Sequence, residues 1–211
     1  MARTRTYSAR DPRVKLGVLG GTFDPVHHAH LAVADQARQQ LALTQLLFMP
    51  AWIAPHKQHA TPHAAAADRL AMLELAIDGN PAFATSTIEI ERRGTSYTVE
   101  TLAALTRQYA GAELYLLIGA DNYRIFPTWH RHERILELCT VAVYNRPGCY
   151  IERVEDPFVL LDGPMLDITS SWVREQVAAQ RSIRYFVPEP VRAYIGAHGL
   201  YQPPQESLDR Q

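Results

Sequence analysis

Cysteine is nearly absent. Cys139 and Cys149 are the only two, and neither stands in a CxxC or any other metal-ligand spacing, so a reducing, cytoplasmic compartment is expected. Long apolar runs are missing, which argues against a membrane span. A charge excess of either sign is also missing. The formal net charge is −1, too small for bulk attraction to nucleic acid or an anionic membrane, and neither partner is expected. The opening MARTRTYSARDPR carries four arginines but no apolar core for a secretory signal. It reads as a flexible tail over residues 1–13, with an Arg-rich transit peptide as the alternative. No repeat and no long linker divides the rest. One domain over 14–201 and a polar tail over 202–211 are expected, and nothing chooses between a monomer and a homo-oligomer.

What is present centres on one stretch, Gly20-Gly21-Thr22-Phe23-Asp24-Pro25-Val26-His27-His28-Ala29-His30. An apolar run, Leu16 to Leu19, reads as a buried strand before it. Leu31, Ala34, Arg38 and Leu41 read as an amphipathic helix after it. A strand, a glycine turn and a helix start describe a phosphate site: the backbone can approach a ligand, and the helix offers free N–H groups and a positive dipole end. His27 and His30 lie one turn apart on a shared face. Their imidazoles can hydrogen-bond phosphate oxygens and carry charge when needed. Both are expected at a polar helix start, where a small neutral replacement leaves no core cavity. The stretch is neither a GxxxxGK[ST] loop nor a GxGxxG fingerprint. Two histidines are also too few for a zinc site. Other cations fall early, namely His56, Lys57, His59, His63 and Arg69, and could converge on an anion.

Further along, strands are read at 14–19, Gln45–Met49, Thr85–Glu91, Leu114–Ile118, Leu138–Tyr144 and Phe158–Leu161. Helices are read over 28–42, from a cap at Asp68 through Ile77, through Val99, Leu102 and Leu105, and over Pro188–His198. Strand, helix, strand in succession implies a parallel βαβ unit. The fold class is α/β, a Rossmann-like open parallel sheet with helices on both faces and a small C-terminal helical part. Residues 50–67 read as a surface loop, with Lys57 either solvated or functional. Gly119-Ala120-Asp121-Asn122 follows a buried strand, where open α/β sheets bind ligands; Asp121 could equally cap a helix. Thr169-Ser170-Ser171 begins another helix, with Arg174 one turn on. It is either ordinary capping or a second anion site.

GGTFDPVHHAH resembles the GGTFDPVHxGH segment of the T/HxGH nucleotidyltransferases, with Ala29 at the position usually held by Gly. The APHK, GTSYTVETL, LLIGADN, FPTWH, NRPG, ITSSWVR and VPEPVRAYIGAHGLY segments extend the likeness to the bacterial nicotinate mononucleotide adenylyltransferases along nearly the whole chain. That resemblance implies transfer of AMP from ATP to nicotinate mononucleotide, giving deamido-NAD and pyrophosphate, with Mg²⁺ bridging the phosphates. It implies His27, His30, Lys57 and Arg174 as catalytic residues. ATP would be held by Gly20, Gly21, Thr22, Phe23, His27, His30, Gly119, Asp121, Ser170, Ser171 and Arg174. The acceptor would meet Asp24, Lys57, Ser96, Tyr97, Thr98, Trp129, His130 and Arg146. Trp129 would stack on the pyridine, unless it is a core or lid residue. Adenylyl transfer to nicotinamide mononucleotide or phosphopantetheine, or nucleotide sensing without catalysis, are the rival readings.

Overall fold

The computed structural model describes residues 14–53 and 62–203. Six strands, β1 (Lys15–Gly21), β2 (Gln45–Pro50), β3 (Phe83–Thr85), β4 (Glu113–Gly119), β5 (Thr140–Tyr144) and β6 (Val159–Leu161), form one sheet in the order β3-β2-β1-β4-β5-β6. Every pairing is parallel, as the strand–helix alternation requires. The helices are α1 (His28–Gln40), α2 (Ala66–Ile77), α3 (Ile88–Arg92), α4 (Thr98–Gln108), α5 (Ala120–Ile125), α6 (His132–Leu138), α7 (Ser170–Ala178) and α8 (Glu189–Ala197), with a 3₁₀ turn at Phe126–Thr128.

Both faces of the sheet are buried, because alternate strand residues feed two separate cores. Leu19, Phe48, Leu117 and Ala142 pack with residues of α1, α2, α7 and α8. Leu16, Val18, Leu47, Leu116 and Val141 pack with residues of α4 and α6. On α1 the buried contacts are Ala34 and Ala37, small side chains that let the helix lie close to the sheet. The strand order reverses between β1 and β4. A crevice at the carboxyl ends of these two strands is where an open α/β sheet takes its ligand. The two glycines expected to form a turn instead end β1, paired with Met49 and Pro50; they and Gly119, the last residue of β4, open there.

Two expected elements differ. The strand expected over Thr85–Glu91 stops at Thr85, and helix α3 follows. The ladder with β2 ends at the Phe48–Thr85 pairing, although β2 itself runs on to Pro50. The backbone therefore pairs with itself, Glu91 N–H to Thr87 O at 2.8 Å and Arg93 N–H to Glu89 O at 3.2 Å. Helix α2 begins before Asp68, which lies in the first turn and accepts the Tyr194 hydroxyl at 2.9 Å. There the carboxylate still complements the positive helix end, without capping it.

Candidate functional site

A single cleft of about 1200 Å³ opens along the carboxyl ends of β1 and β4. A pocket for one small ligand usually spans roughly 300–1000 Å³, so this one has room for two nucleotides. Its lining includes His27, His30, Gly119, Asp121, Ser170, Arg174, Thr98 and Trp129, segments far apart in the chain. Of the expected site residues among those described, all line it. Lys57, His56 and His59 lie outside the described residues.

The end of β1 is held from behind. Phe23 adopts a positive φ of 49° and tucks its ring into the core, 1 % exposed. A Cβ on Gly21 would meet that ring at 3.0 Å, whereas one on Gly20 would meet nothing, because Gly20 faces open space. Arg69 is buried and donates to Thr22 O at 2.7 Å. It thus braces the loop instead of joining the expected cluster of anion-facing cations.

His27 precedes α1 and is 4 % exposed. Its backbone N–H donates to His30 Nδ1 at 3.3 Å. That bond assigns the His30 proton to Nε2, leaving it as the free donor. The two rings stack with centroids 3.7 Å apart, and Phe23 sets its ring at an angle to His30 at 5.0 Å. Burial, then the charge of Arg146, lowers the His27 pKa to about 3. Burial and His27 hold His30 well below the ordinary imidazole value. The expectation that these rings carry charge is therefore corrected: desolvation keeps both neutral. The expectation that replacing them leaves no cavity is corrected as well, because both rings are packed.

The α7 end works differently. Thr169 is a true cap, its hydroxyl accepting from Trp172 N–H at 3.1 Å. Ser170 Oγ donates to Pro25 O at 2.9 Å, tying this helix start to the loop after β1. Arg174 donates from Nη1 to Asp24 O at 2.6 Å and from Nη2 to Ser171 Oγ at 3.1 Å. Two of its five N–H groups are thus spent on fixing the fork. Of the two open readings of this segment, the capping one holds for Thr169.

Asp121 is not the cap of α5, a position that Gly119 takes. Its carboxylate is half exposed and lies 3.7 Å from Arg146 Nη1. Arg146 also donates to the Tyr144 hydroxyl at 2.6 Å and lies over that ring. Gly119 is required beneath this pair: a Cβ there would stand 2.3 Å from Asp121 Oδ1 and 2.8 Å from Arg146 Nε. Arg146 thus pairs with Asp121, and its charge is felt by His27 and His30.

At the other end, Tyr97 precedes α4 and packs against His130 at 4.7 Å. Ser96 Oγ accepts from Trp52 N–H at 3.2 Å, and Ser96 N–H donates to Ile53 O at 3.0 Å. Trp129 packs on Phe126 at 5.5 Å while lining the cleft, so it is at once a core neighbour and a wall. Asp24, expected at the acceptor, has its carboxylate engaged internally, by the N–H groups of His63 and Ala64 and by the Tyr201 hydroxyl. Glu89 was missed by the sequence reading. It lines the cleft, 7 % exposed, and accepts the Thr101 hydroxyl at 2.7 Å. Burial raises its pKa. Its signal was hidden because Ile-Glu-Ile-Glu alternates as a strand does.

Comparison with known proteins agrees with this layout. The Cytidylyltransferase-like family matches residues 18–176. Relatives from Thermomicrobium roseum and Geobacillus thermodenitrificans, each named "Probable nicotinate-nucleotide adenylyltransferase", are 44 % identical over 197 and 187 residues. The first alignment covers 89 % of this chain and 92 % of the relative, the second 89 % and 86 %. Among solved structures, a Plasmodium falciparum nicotinic acid mononucleotide adenylyltransferase complexed with NaAD superposes with a TM-score of 0.74 at 16 % identity, covering 90 % of this chain and 98 % of that one. A Vibrio parahaemolyticus putative nicotinate-nucleotide adenylyltransferase gives 0.67 at 18 %, covering 90 % and 96 %. At such identities these two speak for the fold alone. The family match and the close relatives together place this chain in the Cytidylyltransferase-like family, among the nicotinate-nucleotide adenylyltransferases.

Proposed function

We propose that this chain transfers AMP from ATP to nicotinate mononucleotide, producing deamido-NAD and pyrophosphate for NAD synthesis. The observation that carries the reading is the 44 % identity, over nine-tenths of the chain, to relatives bearing that name. The cleft supports it by joining two helix N-termini, a fixed guanidinium and an aromatic wall in one space large enough for both substrates.

The chemistry needs no enzyme nucleophile. A phosphate oxygen of the acceptor attacks the α-phosphorus of ATP in line; that P–O bond forms as the bond to the β-phosphate oxygen breaks, and pyrophosphate leaves with the electron pair. Catalysis is then positioning and stabilisation of developing charge. His27 and His30, kept neutral by burial, offer N–H donors to the phosphates at the α1 start. The Gly20–Phe23 segment brings backbone N–H groups near the same oxygens. Ser170, Ser171 and Arg174 receive the departing pyrophosphate, the guanidinium binding two oxygens at once. Asp121 takes the ATP ribose hydroxyls. Trp129 stacks on the pyridine, and the N–H groups at the start of α4, beside Thr98, meet its carboxylate.

Mg²⁺ would enter with the triphosphate and offset its charge. Among the described residues, no group of three or more His, Cys, Asp and Glu could hold a metal. These residues suit an ion whose ligands are phosphates and water. A cytoplasmic location belongs to the same proposal. Among the described residues, no helix is long and apolar enough to cross a membrane.

The test is product detection. ATP and Mg²⁺ are incubated with nicotinate mononucleotide, nicotinamide mononucleotide or phosphopantetheine, and dinucleotide and pyrophosphate are measured. Deamido-NAD as the dominant product is expected. Preferential turnover of another acceptor, or no pyrophosphate with any, overturns the assignment.

A further inference from the structure

Tyr201 lies beyond α8, outside the cleft lining, yet its hydroxyl donates to Asp24 Oδ1 at 2.8 Å across 177 positions of sequence. Asp24 is 3 % exposed. Its carboxylate also accepts the His63 N–H at 2.7 Å and the Ala64 N–H at 3.1 Å. Arg174 Nη1 stands 4.0 Å from Asp24 Oδ2 but spends its short bond, 2.6 Å, on the Asp24 backbone carbonyl. A buried carboxylate beside a guanidinium ordinarily pairs with it directly. Here three other donors occupy the carboxylate, and the guanidinium keeps N–H groups for the cleft.

We propose that Tyr201 is a positioning residue for the leaving-group guanidinium: its hydroxyl anchors the Asp24 carboxylate through Oδ1, so that Oδ2, 4.0 Å from Arg174 Nη1, does not close on the guanidinium and draw it out of its cleft-facing pose. The inference rests on the assignment of Arg174 to the departing pyrophosphate. The hydroxyl suits this task, since burial and the Asp24 charge push its pKa well above the ordinary phenol value and keep it a donor. Phenylalanine retains the ring and its packing, so Tyr201→Phe removes one hydrogen bond only.

The test is a double-mutant cycle on Tyr201→Phe and Arg174→Gln, read both as kcat and as affinity for inorganic pyrophosphate by calorimetry. Tyr201→Phe alone is expected to lower both by ~10-fold, the low end for a hydrogen bond to a charged group, with KM for nicotinate mononucleotide unchanged. In the Arg174→Gln background the same change should cost less than ~2-fold, because the residue through which it acts is gone. Equal losses in both backgrounds would mean that Tyr201 merely pins the C-terminal segment, and would overturn the proposal. Wild-type kcat and pyrophosphate affinity in Tyr201→Phe would overturn it too. The calorimetric arm needs no turnover, so its failure is distinct from that of the proposed reaction, which the product assay reads on the wild-type chain.

Discussion

Two helix starts face the cleft, and they present their donors by opposite means. At α1 the donors are imidazoles that burial keeps neutral, stacked on each other and braced by Phe23. At α7 the donor is a guanidinium, with two of its N–H groups anchored to Asp24 O and Ser171 Oγ. A positive charge suits the group that leaves with added negative charge. In the proposed reaction, neutral donors suit phosphates that must move between ground and transition states, because such donors are held without the cost of burying a charge. The comparison teaches that an anion site can be poised by packing at one end and by charge at the other.

The largest effect should come from breaking the charged end. Arg174→Gln is expected to lower kcat by ~10²–10³-fold, the usual range for losing one preorganised donor to developing charge. Arg174→Lys should fall between wild type and the glutamine variant, since charge remains but the fork is lost. Steady-state kinetics decide it, and a lysine variant equal to wild type would mean that charge alone matters.

Breaking the neutral end should cost rate and fold together. His30→Ala removes a ring packed against both Phe23 and His27, so kcat should fall by ~10²-fold. The melting temperature should also fall, by about 2–6 °C for roughly 1–2 kcal/mol of lost packing. An unchanged Tm with reduced kcat would show that the ring contributes nothing to packing.

Gly119→Ala sharpens the comparison by disturbing neither helix start. The new methyl must displace Asp121 or Arg146, which lie 2.3 and 2.8 Å from where it would stand. KM for ATP should rise by about tenfold, the loss of one hydrogen bond to a charged partner, with kcat much less changed. A change in KM for nicotinate mononucleotide alone would place Arg146 on the acceptor side.

The smallest effect is on stability against pH. Unfolded His27 takes a proton below its ordinary value of 6.5, while the folded residue resists until about 3. The unfolded chain therefore binds more protons in that window. The contribution is complete above pH 6.5 and is lost as pH falls toward 3, at up to about 1.4 kcal/mol per unit. Melting scans between pH 7.5 and 4.5 should show this decline, and His27→Asn, which keeps a capping side chain, should flatten it. Identical slopes for the two proteins would mean that His27 does not carry it.

Much of the cleft was legible in sequence because its parts sit at strand ends, where apolar runs give way to glycines, hydroxyls and carboxylates. Gly20, Gly21, Gly119 and Asp121 all follow that rule. The six strands were legible too, apart from the edge. Ile88 to Glu91 alternates as a half-buried strand does, but the chain had left the sheet, and no local pattern records that the ladder has ended. Glu89 was lost with that reading. Asp24, Arg69 and Tyr201 were out of reach for another reason. Their roles are set by partners 39 to 177 positions away, and those of the first two involve backbone atoms that carry no residue signature.

The most direct measurement is the ratio of kcat/KM for nicotinate over nicotinamide mononucleotide. A ring stacks on Trp129 whether it bears an acid or an amide, so discrimination falls to the N–H donors near Thr98 and His130. Charge-assisted hydrogen bonds of roughly 1.5–3 kcal/mol predict a preference for the acid of about 10- to 150-fold. Trp129→Ala should weaken both acceptors alike and leave most of that ratio intact. Equal efficiency on the two acceptors in the wild-type chain would contradict its assignment to nicotinate mononucleotide.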